Sequence, residues 1–101
     1  MDLKLLSAEL AKVSDQYAKK FDIERNADWY ILKLQEELGE LIQSYLMMVK
    51  QARVKGKTDR ELKDDFNKEV ADVFGMVLLL ARFHNVDLGK EIEEKWLKWI
   101  K

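Results

Sequence analysis

Cysteine and proline are both missing from this 101-residue sequence, which also has only four glycines and one histidine. Without cysteine, the chain has no disulfides, no thiol catalysis and no thiolate metal sites. Without proline and with little glycine, it lacks the residues that most often interrupt a helix. No apolar run is long enough to cross a membrane. These absences, together with abundant Leu, Ala, Glu and Lys, predict an all-α protein.

The charge balance and the length narrow the class of protein further. A formal net charge of −1 argues against the backbone of a nucleic acid polymer as the main partner. Hydrophobic residues make up 48% and charged residues 37%, a composition typical of a globular domain. The first residues are too polar for a signal peptide, and we expect a cytoplasmic protein without a membrane partner. The length fits one domain over residues 1–101.

The spacing of apolar residues and the positions of capping residues predict four helices. Asp28 and Asp87 are good N-caps, and Thr58 forms a capping box with Glu61. Gly56 lies in the loop before the third helix. The predicted helices run over residues 3–20, 29–53, 58–85 and 88–101. Four helices with short connections predict a compact four-helix bundle.

The central stretch of the chain is residues 68–83, KEVADVFGMVLLLARF. Between Val70 and Ala81 it is apolar at every position except Asp72 and Gly75. A helix that is apolar all round must be buried all round. Three other helices of this size can hardly cover it, so we expect a homo-oligomer that completes the core.

Two helices each carry a pair of acids at three-residue spacing. Glu69 and Asp72 lie about 60° apart on the third helix, where like charges repel and raise each other's pKa. The second helix repeats the pattern with Glu37 and Glu40, and Glu36 lies beside them. If the two helices pack antiparallel, these carboxylates converge, and a bound cation would relieve the repulsion. Oxygen ligands without Cys or His favour Mg²⁺, with Mn²⁺ as a substitute.

Simpler interpretations of these residues stay open. Acids three apart are common on solvated helix faces, and the apolar setting and the duplication favour a metal site over that alternative. Gly39 and Gly75 each cost about 1 kcal/mol inside a helix relative to Ala, which suggests close helix approach or room for a ligand. His84 lies at a predicted helix end, where it fits a C-terminal cap better than a metal ligand.

The two motifs, EELGEL and EVADVFG about thirty residues later, resemble the Glu-x-x-Glu and Glu-x-x-Asp signature of the MazG-like all-α nucleoside triphosphate pyrophosphohydrolases. The resemblance covers residues 29–99. It implies a dimer or tetramer that holds Mg²⁺ and hydrolyses a nucleotide between the α- and β-phosphates, which gives a nucleoside monophosphate and pyrophosphate. By motif position, the implied metal ligands are Glu37, Glu40, Glu69 and Asp72.

The last helix departs from the pattern of that family. Members often carry Asn-x-Lys-Phe-x-x-Arg, and this chain has Trp96-Leu97-Lys98-Trp99 at the corresponding stretch. Lys98 and Trp99 match, whereas Trp96 replaces the Asn and the given sequence has no residue at the Arg position. Lys95 or Lys101 could compensate in binding phosphate.

Other residues have a functional and a structural interpretation. Glu36 could orient or deprotonate the attacking water, or be an exposed helix carboxylate. Lys33 could bind phosphate or pair with Glu37. Trp29 could stack on a base, although a core or interface position fits a tryptophan better. Trp96 and Trp99 are expected in the core or in a dimer contact.

Two further functions remain as alternatives. A phosphoribosyl-ATP pyrophosphohydrolase would need basic residues near the acids, and the third helix is almost bare of them. A non-catalytic helical module would use the acids only to bind a structural ion or a partner. Pyrophosphate release separates both enzymes from this module.

Overall fold

The computed structural model describes residues 2–100, and within that range it contains helices and no strand. The predicted all-α class is confirmed. No helix in the described part of the chain is both long and apolar enough to cross a membrane. The elements are α1 (Leu3–Phe21), α2 (Ala27–Met48), α3 (Asp59–Phe83) and α4 (Leu88–Lys95), followed by a 3₁₀ turn (Leu97–Trp99).

The predicted start of the third helix is confirmed. The Thr58 hydroxyl accepts a hydrogen bond from the Glu61 N–H at 3.1 Å, and the Glu61 carboxylate accepts one from the Thr58 N–H at 2.9 Å. Asp87 caps α4 with a single bond, since its side chain accepts from the Lys90 N–H at 3.1 Å. The caps of both helices satisfy N–H groups that have no partner inside the helix.

The predicted ends of the second helix are wrong. Its N-cap is Asn26, whose side chain accepts from the Trp29 N–H at 2.9 Å, while Asp28 lies in the first turn. There the negative charge of Asp28 still stabilises the helix by its attraction to the positive end of the helix dipole. The helix ends at Met48 because Lys50 adopts a left-handed conformation, with φ of 66°. This conformation is typical of helix C-termini.

Helices α2 and α3 form an antiparallel hairpin. The rings of Tyr30 and Phe83 lie 4.6 Å apart, and those of Tyr45 and Phe66 lie 6.3 Å apart. Residues that come later in α2 therefore pair with residues that come earlier in α3. The antiparallel packing is the condition under which the acids of the two motifs were expected to converge.

Helix α1 packs on α3 and completes a small core. A methyl group added at Gly75 would lie 3.7 Å from a Leu10 methyl carbon, which is ordinary contact. Arg25, in the connection to α2, donates hydrogen bonds of 2.7 Å to the Ser14 hydroxyl and to the Asp15 carboxylate. The buried hydrophobic residues are Ala18, Tyr30, Leu62, Met76, Leu78 and Ala81.

The expectation of a compact bundle is wrong for the single chain. Its radius of gyration is 16.2 Å, whereas about 13 Å is typical of a compact domain of this length. Residues 89–100 are all exposed, so Trp96 and Trp99 are not core residues. The single chain also leaves α3 partly uncovered, since Val70 and Phe74 are 44% and 45% exposed. The uncovered apolar surface still fits the expected homo-oligomer.

We predict that the chain associates with itself in solution. Its accessible surface is 8050 Å², against about 6,000 Å² for a compact monomer of this mass, and the excess is about what a stable dimer buries on each subunit. Light scattering at micromolar concentration should give a multiple of the 12.0 kDa chain mass. A stable monomer in that experiment would contradict the prediction.

Candidate metal centre

The hairpin brings the acidic motifs of α2 and α3 together. Carboxylate oxygens of Glu37, Glu69 and Asp72 all lie within 4.8 Å of one another. Oxygens of Glu36, Glu37 and Glu40 form a second group under the same distance limit. Glu37 belongs to both groups and is therefore the centre of the cluster. We call these five carboxylates the acidic cluster.

Two carboxylate oxygens of the acidic cluster are buried without a partner. Among the described residues, Glu37 Oε2 and Glu69 Oε2 accept no hydrogen bond. The Glu37 side chain is only 13% exposed. A buried acceptor without a donor costs about 1–3 kcal/mol, and more when it is charged. These unpaired oxygens fit a bound cation, because an ionised carboxylate can only accept and a cation is one partner that satisfies it.

Crowding raises the pKa of the two half-buried acids. Burial raises the pKa of Glu37 to about 7, and the neighbouring carboxylates of Glu40 and Asp72 act in the same direction. Burial and the charges of Asp72 and Glu40 also raise the pKa of Glu69. Near neutral pH, protons and a cation would therefore compete for these carboxylates, and binding of the cation would release protons.

The position of Asp72 differs from the one expected. Asp72 is exposed in the single chain, although the apolar sequence around it predicted burial on every face. The reason is that α1 and α2 do not enclose α3 at this level, and the neighbouring Val70 and Phe74 are also exposed. Its carboxylate nevertheless has an oxygen within 4.8 Å of oxygens of Glu37 and Glu69.

Lys33 and Glu36 lie together at the edge of the acidic cluster. The Lys33 ammonium donates a hydrogen bond of 3.0 Å to Glu36 and lies 4.0 Å from Glu37 Oε1. The hydrogen bond to Glu36 raises the pKa of Lys33, with further contributions from the charges of Glu36 and Glu37, so the amine stays protonated. The pairing predicted for Lys33 is therefore present, and its nearer partner is Glu36.

The other predicted substrate residues lie in different surroundings. Trp29 is half-buried and meets the Tyr30 ring edge-on, with centroids 5.0 Å apart. The Lys98 ammonium lies 5.1 Å from the centre of the Trp99 ring. Within residues 2–100, Lys95 and Lys98 are exposed and form no ion pair. Lys101 lies outside the described residues.

The structure also shows where the single histidine and the two helical glycines lie relative to their expected positions. His84 occupies the C-cap position of α3, as expected. A methyl group added at Gly75 would make only ordinary contact with Leu10 of α1, so the structure shows no helix approach close enough to require glycine there. A methyl group added at Gly39 would meet no atom of residues 2–100 within 4 Å, so the described part of the chain does not explain this glycine.

Sequence reasoning missed a cleft that adjoins the acidic cluster. This cleft of about 420 Å³ has acids and lysines in its wall. We call it the lysine cleft, and its charged and hydroxyl-bearing wall residues are Glu40, Ser44, Lys55, Lys57, Asp65, Lys68 and Glu69. The third helix was expected to offer almost no basic residues near the acids, but the cleft brings Lys68 of α3 together with Lys55 and Lys57 of the preceding loop. Two of the lysines flank Gly56 in the loop and one directly precedes Glu69, which was the available signal.

Comparisons with protein-family models, with curated proteins and with solved structures found no match for this chain. The likeness to the MazG-like enzymes thus depends on the two acidic motifs alone. The geometry of the acidic cluster is independent of that likeness.

We predict that Mg²⁺ or Mn²⁺ stabilises the folded protein. An ion that binds only the folded form at a hundredfold excess over its Kd adds about 2.7 kcal/mol to the free energy of unfolding. For a domain of this size, the melting temperature should rise by about 10 °C or more. Thermal melts with Mg²⁺ or Mn²⁺, and with Na⁺ at matched ionic strength, measure the effect.

Variants show whether the acidic cluster is responsible. Glu40→Gln and Asp72→Asn should reduce the shift in melting temperature. Asp64→Asn is the matched control, because Asp64 is an exposed acid of α3 outside the cluster. Identical melting curves with metal and with chelator would show that the acids are an ordinary solvated face.

Proposed function

We propose that the protein is a Mg²⁺-dependent nucleoside triphosphate pyrophosphohydrolase of the MazG-like type. It would cleave between the α- and β-phosphates and release a nucleoside monophosphate and pyrophosphate, in housecleaning of the nucleotide pool in the cytoplasm. The observation that supports this most is the convergence of acids from two antiparallel helices around two buried carboxylate oxygens without partners. The likeness of the two motifs to that family supplies the reaction.

The metal ligands in this proposal are Glu37, Glu40, Glu69 and Asp72. All of them offer oxygen, which suits Mg²⁺ and Mn²⁺. When bound, the metal would neutralise charge on phosphate oxygens and lower the pKa of a coordinated water. The acidic side chains would hold the ion on one side and leave the exposed side of Asp72 open to the nucleotide.

Residues at the edge of the acidic cluster have roles that follow from their placement. Glu36 would orient the attacking water and accept its proton, since its carboxylate lies within 4.8 Å of the oxygens of Glu37 and Glu40. Lys33 would hold Glu36 in position through their 3.0 Å hydrogen bond and would add positive charge beside the phosphates. Trp29 lies four residues before Lys33 on α2, where its exposed edge could contact the base.

A second copy of the chain would complete the protein. The exposed apolar residues Val70 and Phe74 are each two positions from Asp72, which places them on the opposite face of α3, so association through them would cover apolar surface and leave the acidic cluster open. We expect a dimer or a tetramer, as in the family that the motifs resemble.

The lysine cleft favours a substrate with several phosphates, and phosphoribosyl-ATP therefore stays as a second candidate. The objection to it was the lack of basic residues near the acids, and the cleft removes that objection. A screen of common and damaged nucleoside triphosphates, with phosphoribosyl-ATP included, separates the two enzymes. A module that only binds an ion or a partner would release no pyrophosphate from any of them.

We predict that Asp72→Asn abolishes turnover and leaves the fold intact. Asn is nearly isosteric with Asp and carries no charge, so it weakens metal binding without opening a cavity. Pyrophosphate release should fall by about 100-fold or more, while the helical circular dichroism stays unchanged.

Asp64→Asn again provides the matched control and should retain the activity of the wild type. Wild-type pyrophosphate release by Asp72→Asn would mean that Asp72 is not a metal ligand. The assignment of the acidic cluster as the active site would then fail.

A further inference from the structure

We propose that the lysine cleft binds the β- and γ-phosphates of the substrate, which leave together as pyrophosphate. The inference depends on the proposed function and adds the residues that receive the leaving group. It assigns this role to Lys55 and Lys68, with Lys57 as a supporting residue. The resemblance alone pointed instead to lysines at the end of the chain.

The lysine cleft begins at the proposed metal ligands. Glu40 belongs to the acidic cluster and also to the wall of the cleft. Glu69 does the same from the opposite helix. A nucleotide with its α-phosphate at the metal can therefore extend its next two phosphates into the cleft. The volume of about 420 Å³ is within the range of small-ligand sites.

The charges in the cleft fit a polyanion once the metal is present. Lys57 forms an ion pair with Asp65, and the hydrogen bond to Asp65 raises the pKa of Lys57, so it stays charged. Within residues 2–100, Lys55 and Lys68 form neither an ion pair nor a side-chain hydrogen bond. The cleft thus contains two lysines with no protein counter-ion in contact.

The acids in the wall set a condition on this binding. Glu40, Glu69 and Asp65 carry as many formal charges as the three lysines, so the empty cleft is close to neutral. A divalent cation on Glu40 and Glu69 would leave an excess of positive charge. Pyrophosphate should therefore bind much more tightly with Mg²⁺ than without it.

Local structure gives the cleft a fixed edge and an additional donor. Lys55 and Gly56 have φ of 56° and 74°, and the Lys57 N–H donates to the Val54 carbonyl at 3.1 Å. This tight turn fixes the backbone that carries Lys55 and Lys57. The buried Ser44 hydroxyl in the wall has no hydrogen-bond partner among the described residues, and it could donate a hydrogen bond to a phosphate oxygen.

The role in the reaction follows from the bond that breaks. The water oxygen bonds to the α-phosphorus, and the bond from that phosphorus to the α,β-bridging oxygen breaks. The electron pair stays on the departing pyrophosphate, and the proton of the water passes to Glu36 and then to solvent. Lysines around the β- and γ-phosphates would stabilise the negative charge that develops there.

Binding of pyrophosphate in the presence of Mg²⁺ tests the proposal by titration calorimetry. Lys55→Gln and Lys68→Gln should each weaken it by about tenfold, since each removes a charge-assisted hydrogen bond. Binding of a nucleoside monophosphate should not change, because that product lies at the metal and not in the cleft. In turnover, the inhibition constant of pyrophosphate should rise by the same factor.

Two sets of variants make the result specific. Lys63→Gln is the matched control, because Lys63 is an exposed lysine of α3 whose ammonium lies over the Phe66 ring at 5.1 Å. It should bind pyrophosphate as the wild type does. Lys95→Gln and Lys98→Gln test the position that the resemblance implied, and they should also bind normally.

The outcomes separate this inference from the proposed function. If the wild type does not bind pyrophosphate, or if Lys55→Gln and Lys68→Gln bind it normally, the lysine cleft is not a phosphate site even if the protein hydrolyses nucleotides. Equal loss of monophosphate binding would also overturn the inference. If no nucleotide is hydrolysed but pyrophosphate binding requires Lys68, the proposed enzyme fails and the diphosphate site remains.

Discussion

Repulsion between acids held at the centre of a helical hairpin is the constraint on which this structure depends. Two carboxylate charges within 4.8 Å of each other repel by about 3.5 kcal/mol or more at an effective dielectric constant near 20. The aromatic pairs Tyr30–Phe83 and Tyr45–Phe66 lie on either side of the acidic cluster along the hairpin and hold the helices together there. Protonation of Glu37, whose pKa is raised to about 7, relieves part of the repulsion. A divalent cation would relieve more of it and would also satisfy the buried oxygens.

Helix α3 joins this site to the uncovered surface of the chain. Asp72 reaches the acidic cluster, while Val70 and Phe74 leave about half of their surface in water. Val70 and Phe74 are each two positions from Asp72 and therefore lie on the opposite face of α3, where a partner chain could cover them without closing the acidic cluster. The exposed Trp96 and Trp99 of the last segment add apolar surface that a partner chain could cover.

Local signals in the sequence predicted the all-α class, the starts of two helices and the acids that converge between α2 and α3. The Thr58–Glu61 capping box and the Asp87 cap located two helix starts, and three-residue spacing placed Glu69 and Asp72 on one face. Other features depend on geometry that periodicity does not encode. The lysine cleft needs the left-handed turn at Lys55 and Gly56, and the exposure of Asp72 depends on how far α1 and α2 enclose α3. The last helix was predicted too long: α4 ends at Lys95, and the apolar side chains of Trp96 and Trp99 stay mostly exposed within residues 2–100.

The most direct test of the account is to locate Mn²⁺ by anomalous diffraction in crystals grown or soaked with the metal. The account predicts an anomalous peak between α2 and α3, within about 2.0–2.3 Å of carboxylate oxygens that include those of Glu37 and Asp72. The peak should be lost in crystals of Asp72→Asn and kept in those of Asp64→Asn. Crystals that contain Mn²⁺ at millimolar concentration and show no peak at the acidic cluster, or show one only elsewhere, would contradict the central claim.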